Sequence, residues 1–221
     1  MEMINISHKL FHKMIEQQIS PVEVGGFINT ETDEIIITKT GDENTIPYEP
    51  YLFVPNRYYF HTHPPSGVSY RPPSSADLFM NLAHSVKVGN ILIEIVIDRN
   101  GIFLYSPKQS SFDKFSEFVK ILDDVDKIKV LDMGMQNDSM HRICEVTQDY
   151  LDSFFTEEIQ REYKKKGFDF AKAINEHYNR FIHLPFDVLF IEFPKSVKGG
   201  GKNYYYKYIK YMTQRKKLKI F

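Results

Sequence analysis

Ten residues, PPSGVSYRPP at positions 64–73, hold four prolines and a glycine. No helix or strand runs through them, because proline lacks a backbone N–H and fixes φ. One element must therefore end before Pro64 and another begin after Pro73. RYYFHT (57–62) is rich in aromatics and reads as a strand. SSADLFMNLAHS (74–85) reads as a helix with Ser74 at its N-cap. A strand end and a helix start are thus joined by a stiff loop.

The other segments supply the frame. Residues 7–19 carry Leu10, Phe11, Met14, Ile15 and Ile19 at helical spacing, with Ser7 as N-cap. VEVGGFI (22–28) and EIIIT (34–38) read as strands, and GDEN (41–44) as a turn. NILIEIVI, DRNG and IFLYS (90–106) read as a β-hairpin. Residues 111–123 and about 146–180 look helical, and FDVLFIEF (186–193) reads as a strand. Mixed strands and helices make the class α/β or α+β. There is no internal repeat.

The chain has 221 residues, enough for one large domain or a domain with an extension. With 42% hydrophobic and 26% charged residues it is an ordinary globular mix. The single cysteine, Cys144, excludes an intrachain disulfide and a Cys-rich zinc site. It fits a reducing, intracellular compartment, cytoplasmic or nuclear. Neither a secretory signal nor a run of roughly 20 apolar residues is expected to direct the chain into a membrane. The net charge of −1 hides an asymmetry: residues 195–221 hold nine Lys/Arg and no Asp/Glu, and the rest carries −10.

The chemistry gathers around the proline loop. Residues i and i+2 of a strand face the same side, so His61 and His63 converge if the strand continues through them. Two neutral imidazoles suit zinc, and a catalytic zinc takes three protein ligands. Asp77, in the first turn of the following helix, is the third, where the helix dipole favours its negative form. Taken alone, Ser74-x-x-Asp77 is a capping box and His-x-His is more often structural than a ligand. Their succession across one loop is what makes the pattern specific. Hydrolysis also needs a proton carrier. Glu23 stands between Val22 and Val24, where a carboxylate is costly to bury unless paired or functional. Taken alone, it reads as the solvent-facing residue of an alternating strand.

Glu23 in VEVGG, His61-Thr62-His63-Pro64 and Ser74-x-x-Asp77 together resemble the motif of the JAMM (MPN-plus, JAB) zinc metalloproteases. The succession of elements over about residues 5–106 is similar too. The resemblance implies an α/β, cytidine-deaminase-like mixed sheet flanked by helices, with a C-terminal extension. It implies Zn2+ held by His61, His63 and Asp77, Glu23 as general base on water at the metal, and Ser74 bonding that water or the oxyanion. It implies hydrolysis of the Gly–Lys isopeptide bond of ubiquitin or a ubiquitin-like conjugate, whose extended tail such grooves accept by strand pairing. The family's spacer between the second His and the Ser is shorter than the ten residues here. The surplus falls in the Pro/Gly loop, where lengthening costs little, and it alters the expected substrate groove. On this reading residues 1–193 form the catalytic domain, with a motif-bearing core of about 5–106 and an extension over 109–193. Residues 194–221 form a basic aromatic tail.

Other chemistries fit less well. There is no G-x-S-x-G, P-loop or dinucleotide fingerprint, and Cys144 reads as structural. An iron facial triad has a different residue order. His84, seven residues after Asp77, reads as a surface histidine of its helix, with a place behind the metal as the alternative. Gly25 and Gly26 mark a bulge or a close backbone approach. In the tail, Lys207, Lys210, Arg215, Lys216, Lys217 and Lys219 interleave with tyrosines, a composition suited to single-stranded nucleic acid or an acidic partner. The alternative function is therefore a non-proteolytic JAMM-like module that binds nucleic acid or a protein complex through that tail. KGGGK (198–202) reads as a linker.

Overall fold

A computed structural model of the chain describes residue 4 and residues 6–18, 20–42, 56–64, 72–99, 101–132 and 186–193. The helix expected over about 146–180, Cys144, most of the proline loop and the basic tail lie outside these residues. The chain divides into one compact unit, Met1–Ile191, and a remainder, Glu192–Phe221.

The elements run α1 (His8–Gln17), β1 (Val24–Asn29), β2 (Glu34–Thr40), β3 (Arg57–Thr62), α2 (Ser75–Val88), β4 (Glu94–Asp98), β5 (Gly101–Pro107), α3 (Gln109–Ile121), α4 (Asp124–Asp132) and β6 (Phe186–Glu192). The strands form one six-stranded sheet in the order β2-β1-β3-β4-β5-β6. β1 pairs antiparallel with both β2 and β3, β4 pairs antiparallel with β5, and β3 runs parallel to β4. The fold is thus α/β with a mixed sheet flanked by helices. A parallel neighbour needs a crossover, and the chain from β3 through the loop and α2 to β4 supplies it.

Alternation along the strands sorts the core. Val96, Phe103, Tyr105, Phe186, Val188 and Phe190 meet Leu78, Phe79, Leu82 and Ala83 of α2, Phe115 and Val119 of α3 and Val130 of α4. Ile95 and Ile97, one step along the pleat, belong to the opposite face. α1, with Leu10, Phe11 and Met14 buried, packs against β2 and β4. All five residues of β4 are buried, as are Leu92 and Ile93 just before it, which is why ILIEIVI is a near-continuous apolar run. Full burial of each such large side chain contributes about 1.5–3 kcal/mol.

Local chemistry places the ends of the helices. Ser7 Oγ accepts from Leu10 N and donates to Asp33, tying α1 to the β1–β2 turn. α2 ends at Gly89, whose φ of +75° is left-handed and favours glycine. Past it, Asn81 Nδ2 donates to Leu92 O at 3.3 Å and Ser85 Oγ accepts from Leu92 N at 3.1 Å. These two side chains hold the return from α2 into β4.

Several boundaries and one element differ from expectation: β4 begins at Glu94 and not at Asn90, and α3 spans Gln109–Ile121 and not 111–123. β1 starts at Val24 rather than Val22, because a turn at Ser20–Val22 is closed by the Ser20 hydroxyl. β2 extends to Thr40, since its pairing with β1 continues to Val24. α4 had no clear sequence signal: its apolar residues do not share a face, with Val125 and Ile128 exposed and Val130 buried. No helix among the described residues is long and apolar enough to cross a membrane.

Candidate metal centre

His61 is the next-to-last residue of β3, and His63 lies just past the strand's last residue, Thr62. The parallel ladder nevertheless continues, with His63 N donating to Ile97 O at 2.9 Å. The two imidazoles therefore keep the i, i+2 relation and turn to one side. Their Nε2 atoms stand 3.1 Å apart and their ring centroids 5.0 Å apart. Asp77 approaches from α2, with Oδ1 3.1 Å from His61 Nε2 and Oδ2 3.5 Å from His63 Nε2.

The start of α2 is fixed by a complete capping box. Ser74 Oγ accepts from Asp77 N at 3.2 Å, and Asp77 Oδ2 accepts from Ser74 N at 2.6 Å. Asp77 thus does two jobs at once, capping the helix and facing both histidines. Pro64, Pro72 and Pro73 are buried at the two described ends of the loop.

The side chains of His61 and His63 are 5% and 7% exposed and that of Asp77 17% exposed, so water screens their interactions weakly. Burial disfavours the imidazolium of His61. The Asp77 carboxylate, with Glu23 and Glu94 adding, outweighs burial and holds His61 above its ordinary value. Burial likewise disfavours the Asp77 carboxylate, yet His61 and His63 hold its carboxyl well below the usual range.

These three residues form a buried group that can hold a metal ion, with ligand atoms all within 4.8 Å of one another. At bonds of about 2.0–2.2 Å, neighbouring corners of a tetrahedral zinc shell stand about 3.3–3.6 Å apart. The 3.1 Å between the two Nε2 atoms fits such a shell to within a few tenths of an ångström, and Asp77 sets one oxygen 3.1 Å from His61 and the other 3.5 Å from His63. Two imidazoles and one carboxylate also form a donor set suited to divalent zinc.

Glu23 immediately precedes β1 and is 4% exposed, so it is a buried carboxylate and not the solvent-facing residue that alternation alone suggested. Its backbone is held on both sides: Glu23 N donates to Asp42 O at 2.7 Å, and Gly41 N donates to Glu23 O at 2.8 Å. The next residue, Val24, donates its N–H to Thr62 Oγ1 at 3.0 Å. Thr62 lies between the two histidines, so this bond ties the Glu23 segment to the strand that carries them. The negative charge of Glu23 is felt at His61.

A register shift between Gly25 and Gly26 marks a β-bulge, and Gly25 pairs with His61. A Cβ on Gly26 would stand 1.9 Å from the carbonyl oxygen of Ile36, so both the bulge and the close approach are present.

His84 is corrected. It is 3% exposed, and its Nδ1 lies 2.8 Å from Glu94 Oε1, so it is a buried histidine and not a surface one. The positioning role of Thr62 and the grouping of His84 with Glu94 and Tyr105 were not foreseen. The only cue for the second was a glutamate inside an apolar run.

Comparison of the chain with protein-family models, with curated proteins and with solved structures returns no match in any of the three.

Proposed function

We propose that the chain is a zinc-dependent isopeptidase of the JAMM type. Its substrate on this reading is the Gly–Lys isopeptide bond of ubiquitin or a ubiquitin-like conjugate. The observation that carries the reading is the convergence of His61, His63 and Asp77 at 3.1–3.5 Å in a buried site, next to a buried Glu23. The resemblance in motif and in order of elements supplies the substrate class. Such conjugates are intracellular, in keeping with a single cysteine.

His61, His63 and Asp77 would hold the zinc. When bound, it supplies a Lewis acid that polarises the scissile carbonyl and acidifies water. Glu23 takes the proton of the attacking water as its oxygen adds to the scissile carbonyl, and delivers that proton to the lysine nitrogen as the tetrahedral adduct collapses and the C–N bond breaks. Ser74 Oγ uses a lone pair to cap α2, which leaves its hydroxyl proton for the carbonyl oxygen as charge develops there.

Zinc content, measured with cleavage of a panel of ubiquitin and ubiquitin-like conjugates, tests this directly. Wild type and Glu23→Gln should each carry about one zinc per chain, with cleavage lost only in the variant. Full zinc and full cleavage in both His61→Ala and Asp77→Ala would sink the proposal.

A further inference from the structure

A second buried polar cluster lies near the metal ligands and has no part in the reaction above. Glu94, on β4, is 2% exposed. Its Oε1 is 2.8 Å from His84 Nδ1, and its Oε2 accepts from the Tyr105 hydroxyl at 3.1 Å. The sheet brings these groups together. Glu94 and Tyr105 are register partners on β4 and β5. Phe60 pairs with Ile95, so Tyr59 and Glu94 stand one step back on adjacent strands, on the face that carries His61 and Val96. α2 brings His84 to the same place. The ring of Tyr59 links the two clusters, with its centroid 6.3 Å from that of His61 and 6.3 Å from that of His84.

The hydrogen bonds identify Glu94 as an acceptor. Burial, and then the negative charges of Glu94 and Asp77, keep the Tyr105 phenol protonated far above its ordinary range, so its hydroxyl donates. The His84 imidazole meets the other oxygen through Nδ1.

A divalent cation held by two neutral imidazoles and one carboxylate retains an unbalanced positive charge. In a site this dry that charge is costly unless anions stand nearby. Glu94 stands two residues before Val96, the register partner of His61, so it is a diagonal neighbour of that ligand on the same face of the sheet.

We infer that Glu94, held by His84 and Tyr105, is a charge-compensating residue of the metal centre, strengthening cation binding at His61, His63 and Asp77 without touching the ion. It rests on reading those three residues as a metal site.

The test is zinc affinity by competition with a chromophoric chelator, alongside a thermal melt of the metal-free protein. The full-length chain is compared with Glu94→Gln, Glu94→Asp and Tyr105→Phe. Glutamine keeps the shape and can still accept from the Tyr105 hydroxyl but loses the charge, whereas aspartate keeps the charge on a shorter arm. The Gln variant should bind zinc about ten-fold more weakly, while the Asp and Phe variants, though less stable, stay within about three-fold of wild type. The opposite order, Gln at wild-type affinity with Asp and Phe weakened, makes the cluster a structural support only. That result overturns the inference and leaves the metal centre standing. If Glu94→Gln fails to fold, the other two decide: retained affinity supports charge compensation, and weakened affinity in both overturns it. A wild-type chain that binds no zinc removes the metal centre and this inference with it.

Discussion

At the scale of single residues, the site is a set of charges that water cannot damp. The sign of its pH dependence follows in the metal-free protein. Asp77, held well below its ordinary range, contributes stability that is complete above the usual carboxylate value and lost as pH falls through its folded value. His61, held above its ordinary value, contributes stability that is complete below that value and lost as pH rises through its folded one. Without metal, the melting temperature should therefore decline as pH rises past the raised His61 value, and Asp77→Asn should flatten that decline. With zinc the trend should reverse, since binding displaces the His61 proton and acid competes with the ion. Melts across pH, with zinc and with chelator, check both trends. Thr62 offers a second prediction. Thr62→Val leaves the Val24 N–H buried without its acceptor, which should cost about 1–3 kcal/mol in denaturant melts. Cleavage should fall further than stability alone explains, because the same bond holds the Glu23 segment against β3.

At the scale of elements, two short features decide the geometry: the first turn of α2 and the bulge in β1. Ser74 serves the helix through its lone pair and, on the proposed reaction, the substrate through its proton. Substitution separates the two roles. Ser74→Ala should lose about 0.5–2 kcal/mol of stability along with activity. Ser74→Asn, a good N-cap without a hydroxyl, should keep the stability and still lose activity; paired melts and cleavage rates read this out. Gly26 is constrained more severely. A methyl group there meets the backbone of β2 and not a movable side chain. Gly26→Ala should cost about 1–3 kcal/mol or more in a urea titration and should disturb the pairing of Gly25 with His61.

At the scale of the whole molecule, the sheet core on the α2 side holds the platform on which both histidines stand. Phe79 is fully buried there against Phe115, so Phe79→Ala should lower stability by about 3–5 kcal/mol in denaturant unfolding. Zinc should act the other way: a site that exists only when folded gains about 2.7 kcal/mol at zinc one hundred times its Kd, visible as a melting shift that a chelator reverses. Much of this organisation was legible in the sequence, because it depends on local rules. Proline cannot continue a strand, Ser-x-x-Asp opens a helix, and alternate strand residues share a face, so β3, α2 and the trio His61, His63 and Asp77 could be read directly. α4 could not, since its apolar residues follow no single face and tertiary packing decides which are covered. Nor could the state of Glu23 and His84, because burial is a property of what packs above a residue and not of its neighbours in the chain. By itself the sequence determined the order of elements from α1 to α3 and the grouping of His61, His63 and Asp77. Only the tertiary structure decided that Glu23 is buried, that Thr62 ties its segment to the strand carrying His61, and that Glu94 meets His84 and Tyr105. Those contacts join residues from separate elements, and strand register and helix placement alone set their distances.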